Sequence, residues 1–226
     1  MKKLLTIAVI ATLVLCLFWI GNLYPKKSAI APVTNQLENA DVANLVEKNA
    51  GSQETDNVDI FQPPLDRAGE RVSKKPFEIF ITPQNSPIQP EKFRGYHTGA
   101  DFEIFPEESD ADVPVRAVCP GRLKAKEYAN GYGGVAVESC ELNGQPITAV
   151  YGHLKLASIR LVVGSDLKSG DIIGVLGTAY SAETSGERKH LHLGFHKGTS
   201  MNILGYVQSQ SELSGWIDPC LYVCYD

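Results

Sequence analysis

The chain has 226 residues, of which 43% are hydrophobic and 21% charged, and its formal net charge is -5. That length is enough for one domain of ordinary size with a tail, and the balance is that of a globular protein. The mild acidity excludes a strongly basic nucleic-acid-binding domain.

Lys2 and Lys3 precede an apolar run from Leu4 to Ile20, which continues less strongly to Tyr24 and ends at Pro25, Lys26 and Lys27. A run of about 20 residues can cross a bilayer as a helix. Trp19 and Tyr24 stand where interfacial aromatics belong. Residues 1–24 therefore read as an N-terminal transmembrane anchor, with a cleaved signal as the alternative. Ala29-Ile30-Ala31 fits a cleavage site loosely, while Pro32 and Lys26-Lys27 oppose cleavage. Lipid attachment at Cys16 fits poorly, because Leu15 is large and the residues after Cys16 stay apolar. Both main readings export the rest of the chain. Lysines on both sides of the run leave the charge rule for orientation undecided.

Residues 25–75 read as a flexible linker. Phe61 is the single aromatic residue there, and Asn, Asp, Glu, Gln, Ser and Pro dominate. Such a stretch buries too little apolar surface to offset the entropy of ordering.

The compact domain is expected over 76–226, in short β-type runs separated by turn residues. The runs are 77–81, 100–105, 113–118, 122–128, 134–138, 148–151, 159–163, 172–176 and 191–196. Pro120-Gly121, Asn130-Gly131, Gly133-Gly134, Asn143-Gly144 and Ser169-Gly170 punctuate them. No run of helical period is evident. The fold class is mostly β: an antiparallel sheet or barrel-like sandwich with a groove. Gly131-Tyr132-Gly133-Gly134 reads as a tight hairpin rather than a phosphate loop, since no Lys-Ser/Thr and no helix follow it.

Of five cysteines, Cys16 lies in the apolar run. Cys119 and Cys140 end neighbouring β-type runs and could be bridged, and Cys220 and Cys224 could pair locally. Four unpaired thiols are the alternative. Zinc ligation by cysteine is disfavoured because no C-x-x-C occurs.

All five histidines lie in this domain. His97 and Asp101 form His-x-x-x-Asp, His153 stands alone in Tyr-Gly-His-Leu, and His190 and His192 form His-x-His. Side chains two or four apart on a strand share a face. His190 and His192 would point one way, as would His97 and Asp101 if their stretch is extended. Two imidazoles with one carboxylate suit Zn²⁺ with a fourth position open. Spacing alone leaves His190, His192 and His196 as rivals for the third ligand, and His196 is read as structural or surface.

These clusters, with Val113-Pro114-Val115, Pro120-Gly121, Tyr151-Gly152-His153-Leu154, Lys168 to Gly174 and Ile217-Asp218-Pro219, resemble the lysostaphin/LytM-type zinc metallopeptidases over about residues 93–222. The resemblance implies His97, Asp101 and His192 as zinc ligands. It implies His153 and His190 as catalytic residues beside the metal. It also implies an endopeptidase acting on stem or cross-link peptides of peptidoglycan. With the N-terminal run, that means an enzyme anchored in a membrane, or secreted, and working outside the cytoplasm. The filled ligand set argues against the family's metal-free members, which bind the wall or regulate amidases. One departure stands out: a longer polar segment, Ala179 to Lys189, replaces the short Ser/Thr-Gly-Pro lead into His-x-His. Glu187 in this segment is a remote candidate base. A biotinyl- or lipoyl-type carrier, suggested by the Gly-Asp-Ile-Ile-Gly core, lacks the lysine at a hairpin tip. No oligomeric state follows from the sequence.

Overall fold

The computed structural model describes residues 61–225. The expected anchor, residues 1–24, and residues 25–60 of the expected linker lie outside them. Among the described residues no helix is long and apolar enough to cross a membrane.

Twelve strands carry the fold, all paired antiparallel: β1 Phe80–Ile81, β2 Gly95–His97, β3 Gly99–Glu103, β4 Pro114–Arg116, β5 Gly121–Ala129, β6 Gly133–Leu142, β7 Gln145–Leu154, β8 Asp166–Leu167, β9 Ile172–Val175, β10 His190–Lys197, β11 Tyr206–Val207 and β12 Trp216–Ile217. Seven form one sheet in the order β12-β10-β7-β6-β5-β8, with β3 added beside β10. The sheet is open, so the barrel-like closure allowed by the sequence is not formed. β1-β2-β11 and β4-β9 make two smaller sheets.

Period-two alternation sorts the side chains of the large sheet into two layers. Ala136, Ala149, Tyr151, Leu191, Leu193 and Phe195 enter the main core, where Val115 of β4 and Ile173 of β9 meet them. The alternate residues Val135, Val137 and Val150 enter a second cluster with Tyr132, Val207 and Trp216. The two small sheets thus cover opposite faces. Each fully buried aliphatic or Phe side chain contributes about 1.5–3 kcal/mol. Because residues 191, 193 and 195 face the main core, the intervening His190 and His192 fall on the second face.

Two expectations need correction. The linker does not extend to residue 75. Phe61, Leu65 and Ala68 are buried in the main core, and Arg71 and Lys75 are buried as well. The chain then pairs its backbone with the site strands: Glu103 N donates to Arg71 O at 3.0 Å and Asp101 N to Lys75 O at 3.0 Å. Composition conceals this strap because its buried cations are matched by anions, Arg71 with Glu108 and Lys75 with Glu91. The apolar run 159–163 is not a strand either. Val162 and Val163 are exposed, and the chain turns at Gly164.

Cys119 is bonded to Cys140 and Cys220 to Cys224, the two pairings suggested by the sequence. The hairpin expected at Gly131–Gly134 joins β5 to β6. Gly133 has φ 76°, and a Cβ there would lie 2.0 Å from Glu183 O. The hairpin therefore docks on the 182–184 turn at a point only glycine allows.

Candidate metal centre

β10 lies between β3 and β7, and its register puts His192 opposite Asp101 on one side and Gly152 on the other. His97 arrives differently. It ends β2 in the small sheet, and the chain breaks at Thr98 before entering β3 in the large one. Thr98 is held across the break, its N donating to Gly205 O at 3.1 Å. His97 and Asp101 therefore do not share a face of one extended strand. They converge because the chain changes sheets between them.

The convergence is close. His97 Nε2 lies 3.0 Å from His192 Nδ1, and each lies 3.2 Å from Asp101 Oδ1. All three residues are buried. An ion with tetrahedral bonds of about 2.0–2.1 Å has ligand–ligand edges of about 3.3 Å. Two imidazole nitrogens and one carboxylate oxygen with these separations fit such an ion. Among the described residues one other His/Cys/Asp/Glu group is as tight, Cys119, Glu138 and Cys140. Its sulfurs are spent in the disulfide.

Backbone carbonyls fix three of the rings. His97 Nδ1 lies 3.1 Å from Pro76 O, His190 Nδ1 2.9 Å from Arg188 O, and His153 Nδ1 3.3 Å from Thr184 O. A carbonyl can only accept, so each Nδ1 carries the proton and each Nε2 is left for the site. Pro76 belongs to the strap, which gives that segment a share in the centre.

His153 and His190 stand side by side with ring centroids 4.2 Å apart, and His190 Nε2 is 3.3 Å from Asp101 Oδ2. Burial and the adjacent His190 hold His153 well below the usual histidine range. Burial, with His97 also acting, brings His192 down to about 4. Both rings are neutral at pH 7, the form a ligand or proton acceptor needs. Burial pushes Asp101 up, but His190 and His97 outweigh it and hold the carboxyl well below its ordinary value.

His196 takes no part. It is half-buried, with its ring 4.9 Å from Trp216. Glu187 lines the pocket and pairs with Lys92 at 3.1 Å.

The centre opens into a pocket of about 450 Å³. Phe93 stacks on Tyr206 in its wall at 5.4 Å, and Tyr206 tilts against His97 at 5.2 Å. Tyr132, at the hairpin tip, stands over His192 at 5.1 Å and His153 at 5.4 Å. Sequence reasoning missed Tyr132, Tyr206 and Lys75 as lining residues. The glycines around Tyr132 were a signal that the backbone passes close to something, but not to what.

Residues 95–203 match the model of peptidase family M23. Over these residues the chain is similar to that family. The resemblance to lysostaphin/LytM-type peptidases read from the motifs is thereby shown, and all five motif residues lie in the M23 match. The chain is 36% identical over 102 residues to Endolysin 2638A of Staphylococcus phage 2638A, covering 44% of this chain and 18% of that protein. It is 31% identical over 101 residues to an uncharacterized protein of Haemophilus influenzae, covering 44% and 22%. The chain thus spans about a fifth of the length of these two relatives. Among solved structures it is similar to the catalytic domain of lysostaphin from Staphylococcus simulans, at 21% identity and a TM-score of 0.44, covering 65% of this chain and 87% of that one. Pro76 and Lys75 precede the M23 match.

Proposed function

We propose that the M23 domain is a zinc-dependent endopeptidase that hydrolyses stem or cross-link peptides of peptidoglycan. The observation that carries this reading is the approach of His97 Nε2, Asp101 Oδ1 and His192 Nδ1 to within 3.0–3.2 Å beside two further histidines. Zinc, when bound, supplies Lewis acidity towards a carbonyl oxygen and acidifies water. His97, Asp101 and His192 hold the ion. His153 and His190 present Nε2 atoms whose tautomers are fixed by Thr184 O and Arg188 O, so they can accept a proton from the attacking water and return one to the leaving amine. The pocket wall of Phe93 and Tyr206 offers an apolar face to an extended peptide. Substrate identity rests on the M23 match, on the lysostaphin/LytM-type motifs and on export.

Export is supported by the two disulfides, which belong to oxidising compartments, and by the apolar run Leu4 to Ile20. We place the domain outside the cytoplasm, held by an N-terminal membrane anchor or secreted after cleavage.

Digestion of defined muropeptides, read by mass spectrometry, tests the reading. Wild type releases peptide fragments and contains zinc. His192→Ala loses both. His153→Ala and His190→Ala keep zinc but lower kcat by about 10²–10⁴-fold. Cleavage that survives complete zinc removal would overturn the metal mechanism. Wall binding without cleavage, unchanged in His192→Ala, would point instead to a non-catalytic wall-binding role.

A further inference from the structure

The centre contains a cation that the ligand motifs do not include. Arg188 is buried at the end of the long polar segment before His190, and it lines the pocket. Its Nη2 donates to Asp101 Oδ2 at 2.9 Å and also to Glu103 Oε1, while Nε donates to Glu103 Oε1 and Oε2 at 3.1 and 3.0 Å. The two oxygens of Asp101 therefore have different partners. Oδ1 faces His97 and His192, whereas Oδ2 faces Arg188 and His190.

We propose that Arg188 is a positioning residue that withholds Oδ2 of Asp101 from the metal, so that this ligand binds through one oxygen. The inference rests on the zinc reading above. A carboxylate with both oxygens unoccupied can chelate an ion, and in a His₂Asp site that crowds the open position by raising the coordination from four to five. A charge-assisted bond from a planar guanidinium competes for the second oxygen and fixes the plane of the carboxylate. Arg188 also spans Asp101 and Glu103, two buried carboxylates that would otherwise repel. A lysine, as a point charge, cannot hold both in one plane.

The chain on either side of Arg188 is held fast. Tyr180 N donates to Glu187 O at 2.7 Å, and Thr184 Oγ1 donates to the same oxygen at 2.8 Å. On the other side Lys189 Nζ donates to Glu108 O at 2.9 Å. Arg188 thus acts twice: its carbonyl orients His190 and its side chain orients Asp101. The segment that departs from the family's short lead into His-x-His carries this device.

The test is the visible spectrum of the Co²⁺-loaded full chain, with a crystal structure of the Zn²⁺-loaded wild type. The wild type is expected to show the strong band of a four-coordinate ion, and Arg188→Met to lose intensity as Asp101 chelates and coordination rises to five. Arg188→Lys keeps the buried charge, and its spectrum should fall between the two. In the wild-type crystal one Asp101 oxygen should lie at about 2.0–2.2 Å from zinc and the other beyond bonding distance. Both oxygens at bonding distance, or metal-loaded Arg188→Met and Arg188→Lys with wild-type spectra, would overturn the role of Arg188 and leave the zinc reading standing. Should Arg188→Met not fold, the Lys variant and the crystal structure decide. A wild type that takes up neither Co²⁺ nor Zn²⁺ would overturn the zinc reading, and this proposal with it.

Discussion

His153 has φ 64°, in the left-handed region where a non-glycine residue carries roughly 1–3 kcal/mol of strain. The conformation holds the ring against His190 and Nδ1 near Thr184 O, so the strain sits where proton transfer is proposed. Asn enters this region more readily than most residues, and a β-branched residue hardly at all. We therefore expect His153→Asn and His153→Val both to lower the proposed cleavage as far as His153→Ala does, with the Val protein unfolding at the lower denaturant concentration. Equal midpoints would show that the backbone here is unstrained. The histidines were legible at this scale because ligand chemistry needs few residue types. Arg188 was not, since an arginine in a polar segment looks like any solvated charge until its partners are placed. Nor could spacing choose His192 over His196; the register of β10 against β3 brings the former to Asp101.

At the scale of elements, the main-core face of β6 and β7 contains a further buried acid, Glu138. Tyr151 donates to Glu138 Oε2 and accepts from Val118 N at 2.9 Å. Burial raises the Glu138 carboxyl from 4.5 to about 7. Below about pH 4.5 folded and unfolded chains both hold this proton. Between there and about pH 7 the unfolded chain releases it and the folded chain keeps it, so stability falls as pH rises, by about 3 kcal/mol in all. Glu138→Gln removes this contribution. Its stability relative to wild type should rise across that window, as measured by urea unfolding at pH 4.5 and 8. A constant difference would refute the assignment. The adjoining Cys119–Cys140 bridge joins residues 21 apart in sequence, for which loss of the cross-link costs about 3 kcal/mol. Replacing both cysteines by alanine should lower stability by about that amount while leaving His97, Asp101 and His192 in place. Most strands were legible from alternation, including β5, β6, β7 and β10. The run 159–163 misled because exposed valines beside a turn give the same local signal as a buried edge.

For the whole molecule, the decisive element is the strap before β1. Its residues are polar in composition, yet Phe61, Leu65 and Ala68 fill the main core, and the strap's backbone accepts bonds from Asp101 and Glu103. Hydropathy could not reveal it, because a buried Arg71 or Lys75 reads as solvated until Glu108 or Glu91 is found beside it. We expect a protein starting at residue 76 to unfold at lower urea concentration than one starting at residue 55 and to bind zinc less tightly in chelator competition. Identical curves would show that the strap is dispensable.

The strap also bears on recombination. The stretch recognisable as M23 begins at residue 95, but the carbonyl that orients His97 belongs to Pro76. A graft trimmed to the borders of homology would carry His97, Asp101 and His192 and leave behind the carbonyl that orients His97. Crossovers in this lineage, natural or designed, should succeed when they fall ahead of Phe61 and fail when they fall between it and β2.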